Sequence, residues 1–145
     1  SFYVSEPYGR HTATGRVLIP TALSGGSLRQ RLSEAAECYG TGRVTLAVER
    51  SAEDFFLPSP NGQGRPLTRE ELAAKRKELS PSIFFSDELC ARYFTYMNRQ
   101  SGAHFVLFDD AGSIRKKLRL AEAMGIDRSL FFYPEVSDLL PDILS

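Results

Sequence analysis

Acidic side chains recur directly after the segments that the sequence predicts as strands. These residues are Glu6, Glu49, Asp109, Asp110 and Glu135. In parallel α/β folds the carboxyl ends of the strands share one edge, where loops and helix N-termini gather around ligands. Two carboxyl groups about 5 to 9 Å apart on such an edge can divide the chemistry of glycoside cleavage, because one stays protonated as the acid while the other stays ionised. We therefore predict Glu49, Asp110 and Glu135 as candidate catalytic residues.

A structural interpretation of the same acids remains open. Asp110 precedes a predicted helix and can serve as its N-cap. Glu6, Glu49 and Glu135 can lie in solvated turns, where charged side chains are common. In that case the carboxylates stabilise local structure and carry no chemistry.

Aromatic rings provide the second kind of candidate, because their flat faces stack against the C–H surfaces of sugars. The predicted ligand-binding residues are Glu6, Tyr8, Phe55, Phe56 and Tyr133. Phe55 and Phe56 lie in the segment 51–66, where three prolines and two glycines predict a long loop that is functional or mobile. A polar loop carries two large rings only where they pack down or contact a partner, so packing is the alternative to binding.

The remaining candidates for chemistry are weak. The turn at 24–27 could present backbone N–H groups to a phosphate, but it lacks the dinucleotide and P-loop patterns, so a turn with a helix cap also explains it. Cys38 and Cys90 have no paired Cys or His near them, and we predict neither a metal site nor a cofactor. His104 precedes an apolar strand and is interpreted as a structural residue rather than a base.

Two strand–helix–strand patterns must position these residues. In the first, a strand over 16–20 precedes a helix that Ser27 and Gln30 open as a capping box, and a strand over 43–49 follows. The second is the clearest pattern of the chain: a strand over 104–108, a helix over 114–124 capped by Asp110, and a strand over 130–133. Right-handed crossovers of this kind build a largely parallel sheet with flanking helices.

Length and composition bound the architecture and the function. A chain of 145 residues, 42% of them hydrophobic, predicts a single α/β domain. Basic and acidic residues both number 18, so no net charge attracts nucleic acid or an anionic membrane. No apolar run approaches the ~20 residues of a membrane helix and no signal peptide is evident, so we expect a soluble protein. A complete eight-stranded barrel takes about 250 residues, so the chain predicts an open sheet or a partial (β/α) barrel.

The segment 93–135 combines an apolar strand, an acidic pair, a helix opened by serine and a final strand. The residues that carry this pattern are Tyr93-Phe94-Thr95-Tyr96, His104-Phe105-Val106-Leu107-Phe108-Asp109-Asp110, Ser113-Ile114, Lys117-Leu118, Leu120 and Gly125. The segment resembles the C-terminal part of a glycoside hydrolase family 18 barrel, of the type found in bacterial spore and peptidoglycan enzymes. The resemblance implies a barrel-related fold and a carbohydrate or cell-wall role, in the bacterial cytoplasm, cell envelope or spore.

The chain also departs from that family. The family's catalytic signature, Asp-x-x-Asp-x-Asp-x-Glu, is absent from this sequence. The family places a tryptophan on its last strand, whereas this chain has no Trp and carries Phe132 or Tyr133 in the corresponding region. The resemblance therefore implies a domain that is not catalytic alone, either a non-catalytic relative or a part of a larger chain.

These observations leave three hypotheses of function. The first is a glycoside-hydrolase-like domain that binds carbohydrate and, if it is an enzyme, acts as a glycosidase. The alternative is a protein-interaction or oligomerisation domain that uses Phe55 and Phe56, and the third is a phosphate or nucleotide binder. Because a half-barrel exposes an apolar sheet edge, we also predict a homodimer or contact with the remainder of a larger chain. We expect no nucleic acid as a partner and no membrane segment.

Overall fold

The computed structural model describes residues 3–5, 16–22, 26–57, 64–131 and 133–144. Their order along the chain is β1 (Tyr3–Ser5), β2 (Arg16–Pro20), α1 (Leu28–Tyr39), β3 (Val44–Val48), β4 (Ala52–Leu57), β5 (Arg65–Pro66), α2 (Arg69–Leu79), β6 (Phe84–Ser86), β7 (Ala91–Asn98), β8 (Gly102–Phe108), α3 (Ala111–Ala123), β9 (Ser129–Phe131), α4 (Tyr133–Val136) and α5 (Leu140–Leu144). None of the helices described is long and apolar enough to cross a membrane.

The first sheet is parallel and has the strand order β1-β2-β3-β9. Helix α1 connects β2 to β3, and α3 precedes β9. Each strand pairs with the next strand of this sheet along the chain, through registers such as Val17↔Val44 and Leu46↔Ser129. Successive strands in this order are the arrangement of a (β/α) barrel, so the prediction of a barrel-related α/β fold agrees with this half of the molecule.

The two faces of the parallel sheet differ in burial. Side chains alternate between the faces of a strand, so Val17, Ile19 and Leu46 share one face. That face is buried against α1 and α3 in the largest apolar cluster of the described residues. On the opposite face Thr45 is buried, Leu18 and Ala47 are half-buried, and Leu130 is 42% exposed. In a complete barrel this second face would line the interior.

The second sheet is antiparallel, with the order β5-β4-β8-β7-β6, and it is inserted between β3 and α3. The prediction of a largely parallel sheet is therefore only partly correct. The link between β7 and β8 covers only residues 99–101, which suffices for a hairpin but not for a crossover. Strand β8 consequently leaves the predicted strand–helix–strand unit, and β9 pairs with β3 instead.

The predicted loop over 51–66 is wrong for residues 52–57, which form β4. Six residues of this strand pair with β8, from Ala52↔Phe108 to Leu57↔Ala103. Aromatic residues such as Phe55 and Phe56 favour strands, and this preference outweighs the loop composition that begins at Pro58. Residues 58–63 lie outside the described part of the chain.

The helix caps agree with the sequence except in two details. Ser27 caps α1 by accepting a hydrogen bond from the Gln30 backbone N–H at 3.3 Å, but the Gln30 side chain donates to Glu34 at 3.1 Å, so the capping box is only half formed. Helix α3 begins at Ala111, three residues earlier than predicted, because Asp110 and Ser113 form a complete capping box.

Candidate functional site

The rim of the parallel sheet brings two of the predicted catalytic residues together. Glu49 follows β3 and Glu135 lies in α4, directly after β9. Both line a hollow of about 360 Å³, together with Leu18, Ala47 and Leu130 of the less buried sheet face. The Glu49 backbone N–H donates to the hydroxyl of the buried Thr21 at 3.0 Å, which joins the ends of β2 and β3.

The surroundings of Glu49 perturb its ionisation. Partial burial raises the pKa of Glu49, and the negative charge of Glu135 raises it further. The positive charges of Lys117 and Arg31 act in the opposite direction, and Asp109 adds a smaller upward effect. A raised pKa beside a second carboxyl group is the kind of perturbation found at sites of acid–base chemistry, and two carboxyl groups at one rim can bind the hydroxyl groups of a polyhydroxylated ligand.

Asp109 performs a structural function behind this rim. Both of its carboxylate oxygens lie 2.8 Å from Lys117 Nζ, and both side chains are at most 1% exposed. The Ser113 hydroxyl donates to Asp109 Oδ1 at 2.7 Å, and the Ser51 backbone N–H donates to Oδ2 at 3.0 Å. The network ties the two ends of the antiparallel insertion to α3, and every carboxylate oxygen is satisfied.

Asp110 caps the N-terminus of α3 and is not among the residues that line the hollow of Glu49 and Glu135. Its carboxylate accepts the Ser113 backbone N–H at 2.8 Å and pairs with the Arg92 guanidinium at 2.5 Å. These contacts agree with the capping interpretation of Asp110. A catalytic function for Asp110 stays a prediction.

A second hollow, of about 390 Å³, lies between α2 and the end of the parallel sheet. Its lining includes Arg50, Arg69, Arg76 and Glu135. Arg50 Nη1 donates to the Glu135 carbonyl oxygen at 3.1 Å and to Asp138 Oδ1 at 2.8 Å. Sequence reasoning missed this basic hollow, although Arg69 and Arg76 are seven residues apart and thus share a face of α2.

The predicted aromatic residues separate onto two faces. Phe55 and Phe56 are neighbours on β4, so their side chains point to opposite sides of the antiparallel sheet. Phe55 is buried and its ring centroid lies 6.2 Å from that of Phe105, while Phe56 is 39% exposed and lies 5.6 Å from the His104 ring. Phe105 stacks in turn on Tyr93 at 5.0 Å. Neither ring belongs to a loop, so the predicted loop contact is wrong in its geometry.

The remaining predicted residues are outside the described side chains. Glu6, Tyr8 and residues 24–25 of the phosphate-turn prediction lie outside the described residues, as does Phe132. Tyr133 begins α4, so the final strand ends two residues earlier than predicted. Within the described ranges no group of three or more His, Cys, Asp or Glu side chains is arranged to hold a metal ion.

Comparison with known proteins adds evidence about the fold. Neither a protein-family model nor a curated protein matches the sequence. Among solved structures, the spore cortex-lytic enzyme SleL of Bacillus cereus superposes with a TM-score of 0.71 at 17% identity, over 97% of this chain and 40% of that chain. SleL of Bacillus megaterium superposes with a TM-score of 0.67 at 20% identity, over 88% of this chain and 33% of that chain. A chitinase of Chromobacterium violaceum superposes with a TM-score of 0.68 at 15% identity, over 89% of this chain and 44% of that chain.

These neighbours share the fold of this chain. They are glycoside hydrolase family 18-like enzymes, so the described chain has a glycoside-hydrolase-like α/β fold, in agreement with the resemblance noted at 93–135. The chain spans only 33% and 40% of the two SleL structures. The similarity thus extends to one part of a larger architecture.

Proposed function

We propose that this chain forms one part of a glycosidase-like (β/α) barrel and contributes one side of a carbohydrate-binding cleft. The observation that carries the proposal is the parallel order β1-β2-β3-β9 with helices packed on a single face. Such a sheet is complete only when its other face, with Leu18, Ala47 and Leu130, is also covered. The cover is the remainder of a larger chain or a second copy of this one.

The rim of the sheet supports carbohydrate as the ligand. The hollow beside Glu49 and Glu135 opens where the strands end, which is where (β/α) barrels bind their ligands. Paired carboxyl groups beside an apolar surface match the hydroxyl groups and C–H faces of a sugar. The neighbouring structures are named as chitinases and spore cortex-lytic enzymes, so we propose a chitin-like or cell-wall polysaccharide and a location in a bacterial cell envelope or spore.

The chain alone is proposed to bind without hydrolysing. The family's Asp-x-x-Asp-x-Asp-x-Glu signature is absent, and Asp110 is occupied by its cap and by Arg92. Glu49 would then orient a sugar hydroxyl or acetamido group rather than protonate a glycosidic oxygen.

A ligand titration tests the carbohydrate function. We expect chitohexaose to raise the Tm of the protein and to bind in calorimetry, and we expect Glu49→Ala to abolish both effects. Glu122→Ala, which removes an exposed carboxylate from α3, is the matched control and should bind as the unmodified protein does. Binding that persists in Glu49→Ala, or the lack of any response to chitohexaose, contradicts the proposed site.

The association state of the protein tests whether the open face of the parallel sheet needs a cover. We expect self-association in analytical ultracentrifugation, and we expect Leu130→Asp to reduce it because a charge would replace an exposed apolar side chain on the open face. A stable monomer at high concentration would contradict the need for a cover on this face.

A further inference from the structure

Three side chains of the antiparallel sheet form a hydrogen-bonded chain that the carbohydrate function does not use. The Ser101 hydroxyl lies 2.6 Å from His104 Nε2, and His104 Nδ1 lies 2.8 Å from Asp54 Oδ1. Asp54 is on β4, His104 is on β8, and Ser101 is in the turn between β7 and β8. A hydroxyl, an imidazole and a carboxylate in this order form the arrangement that activates a serine for nucleophilic attack.

The carboxylate of Asp54 is held in place by further donors. Its side chain is 6% exposed and also accepts a hydrogen bond from the Tyr96 hydroxyl at 2.5 Å, while Lys75 Nζ lies 3.7 Å from Oδ2. Burial and the contact with Asp54 raise the pKa of Tyr96, so its hydroxyl keeps the proton that it donates. Asp54 can therefore accept the Nδ1 proton of His104, which leaves Nε2 as the acceptor facing Ser101.

The imidazole is fixed between two rings on the same sheet face. Tyr96 and Phe56 are the cross-strand partners of His104 on either side. The Tyr96 ring stacks on the imidazole at 4.6 Å with an interplanar angle of 15°, and the Phe56 ring lies 5.6 Å away. This packing holds the plane of the imidazole, and the hydrogen bond between Nδ1 and Asp54 directs Nε2 at the serine, which is the positioning that such a base needs.

Ser101 is accessible from solvent and lies beside an apolar surface. It is half-buried in the turn, and Gly102 follows with φ +94°, a conformation that glycine adopts without strain. A Cβ at Gly102 would lie 3.8 Å from Phe56 Cε2, so the exposed Phe56 ring approaches the turn. An exposed apolar ring therefore lies beside the turn that carries Ser101.

We propose that Ser101, His104 and Asp54 form a nucleophilic triad that reacts with acyl esters. In the first step Ser101 Oγ bonds to the ester carbonyl carbon, its proton passes to His104 Nε2, and the alcohol leaves with that proton as the carbon–oxygen bond breaks. Water then attacks the acyl-serine, again giving a proton to Nε2, and the acid is released while Ser101 regains its proton. The net reaction is hydrolysis of one ester to one acid and one alcohol.

Active-site labelling tests this triad. A fluorophosphonate probe forms a phosphorus–oxygen bond with an activated serine and releases fluoride, and we expect peptide mapping by mass spectrometry to find the label on Ser101. We also expect hydrolysis of p-nitrophenyl acetate, with Ser101→Ala and His104→Gln each lowering the rate about 100-fold or more. His104→Gln retains hydrogen-bonding capacity without supplying a base. Ser82→Ala, at an exposed serine, is the matched control.

The outcomes separate the triad from a structural network and from the proposed carbohydrate site. Circular dichroism and thermal melts establish that each variant is folded. A folded unmodified protein that is not labelled at Ser101, or a folded Ser101→Ala variant that hydrolyses the ester at the unmodified rate, overturns the proposal. The label is applied to the unmodified protein without any carbohydrate, so failure of the chitohexaose titration leaves this test unaffected.

Discussion

The parallel sheet and the antiparallel insertion assemble polar groups in different ways. In the parallel sheet the polar residues follow the strands, as Thr21 and Glu49 do, and they meet because neighbouring strands end at one edge. In the insertion the polar residues lie within strands, and Asp54, Tyr96 and His104 meet through cross-strand register. The first kind of site follows from strand direction alone, whereas the second requires the pairing of β4, β8 and β7.

The two regions also differ in how their sheets are covered. The parallel sheet buries one face under α1 and α3 and leaves Leu130 of its other face 42% exposed. The antiparallel sheet packs Phe94, Val106 and Phe108 against residues from the α2 region, such as Leu67 and Leu72. The insertion thus has its own apolar cluster, while the parallel sheet depends on further structure for its second face.

Removing the ion pair that joins the two regions should have the largest effect. Lys117→Met leaves the buried Asp109 carboxylate without its counter-ion, and we expect a loss of about 3–5 kcal/mol in the free energy of unfolding. Urea denaturation measures it, with Arg119→Met on the exposed side of α3 as the control. The double variant Asp109→Asn with Lys117→Met should regain part of the loss. Near-equal stability of Lys117→Met and Arg119→Met would show that Asp109 does not join the regions.

A cavity in the insertion should have an effect of similar size that is confined to one region. Phe94 is fully buried, and Phe94→Ala should cost about 3–5 kcal/mol. If the regions have separate cores, hydrogen exchange should accelerate in β7 and β8 more than in β2 and β3. Leu46→Ala, at an equally buried position of the parallel sheet, should give the opposite pattern. Uniform acceleration throughout the chain would indicate one cooperative unit.

The cap of α2 should have a smaller effect within the insertion. Thr68 accepts the Glu71 backbone N–H at 3.1 Å, and Glu71 accepts the Thr68 N–H at 3.0 Å. Thr68→Ala removes one of these bonds and should lower the free energy of unfolding by about 1 kcal/mol. Glu78→Gln, an exposed change on the same helix, is the control. An unchanged urea midpoint for Thr68→Ala would mean that α2 contributes little to the insertion.

The smallest effect is expected at the rim of the parallel sheet and depends on pH. Because the pKa of Glu49 is raised above its ordinary value of 4.5, the folded protein keeps a proton that the unfolded chain releases. The free energy of unfolding therefore falls as the pH rises from the pKa of Glu49 in the unfolded chain to its pKa in the folded protein. Glu49→Gln should remove this loss. The variant should have a higher Tm than the unmodified protein at about pH 8 and a similar Tm at about pH 4. A Tm difference that does not vary with pH would contradict the perturbed ionisation.

Local patterns predicted the helices because their signals lie within a few residues. Ser27 and Asp110 were recognised as caps, and apolar spacing indicated α1 and α3. The acids Glu49 and Glu135 were recognised because each follows a strand of the parallel sheet. Phe55 and Phe56 were misinterpreted because nearby prolines and glycines obscured a strand whose partner, β8, lies about 50 residues further along the chain.

The amino-acid sequence by itself determined helices α1 and α3, their caps and the placement of acids after strands, since these depend on neighbouring residues. Only the tertiary structure decided which strands pair, because pairing depends on the free energy of burying complete sheet faces. Strand pairing placed β8 in the antiparallel sheet and brought Asp54 to His104 across fifty residues. It also left one face of the parallel sheet open, and the proposed function depends on that face.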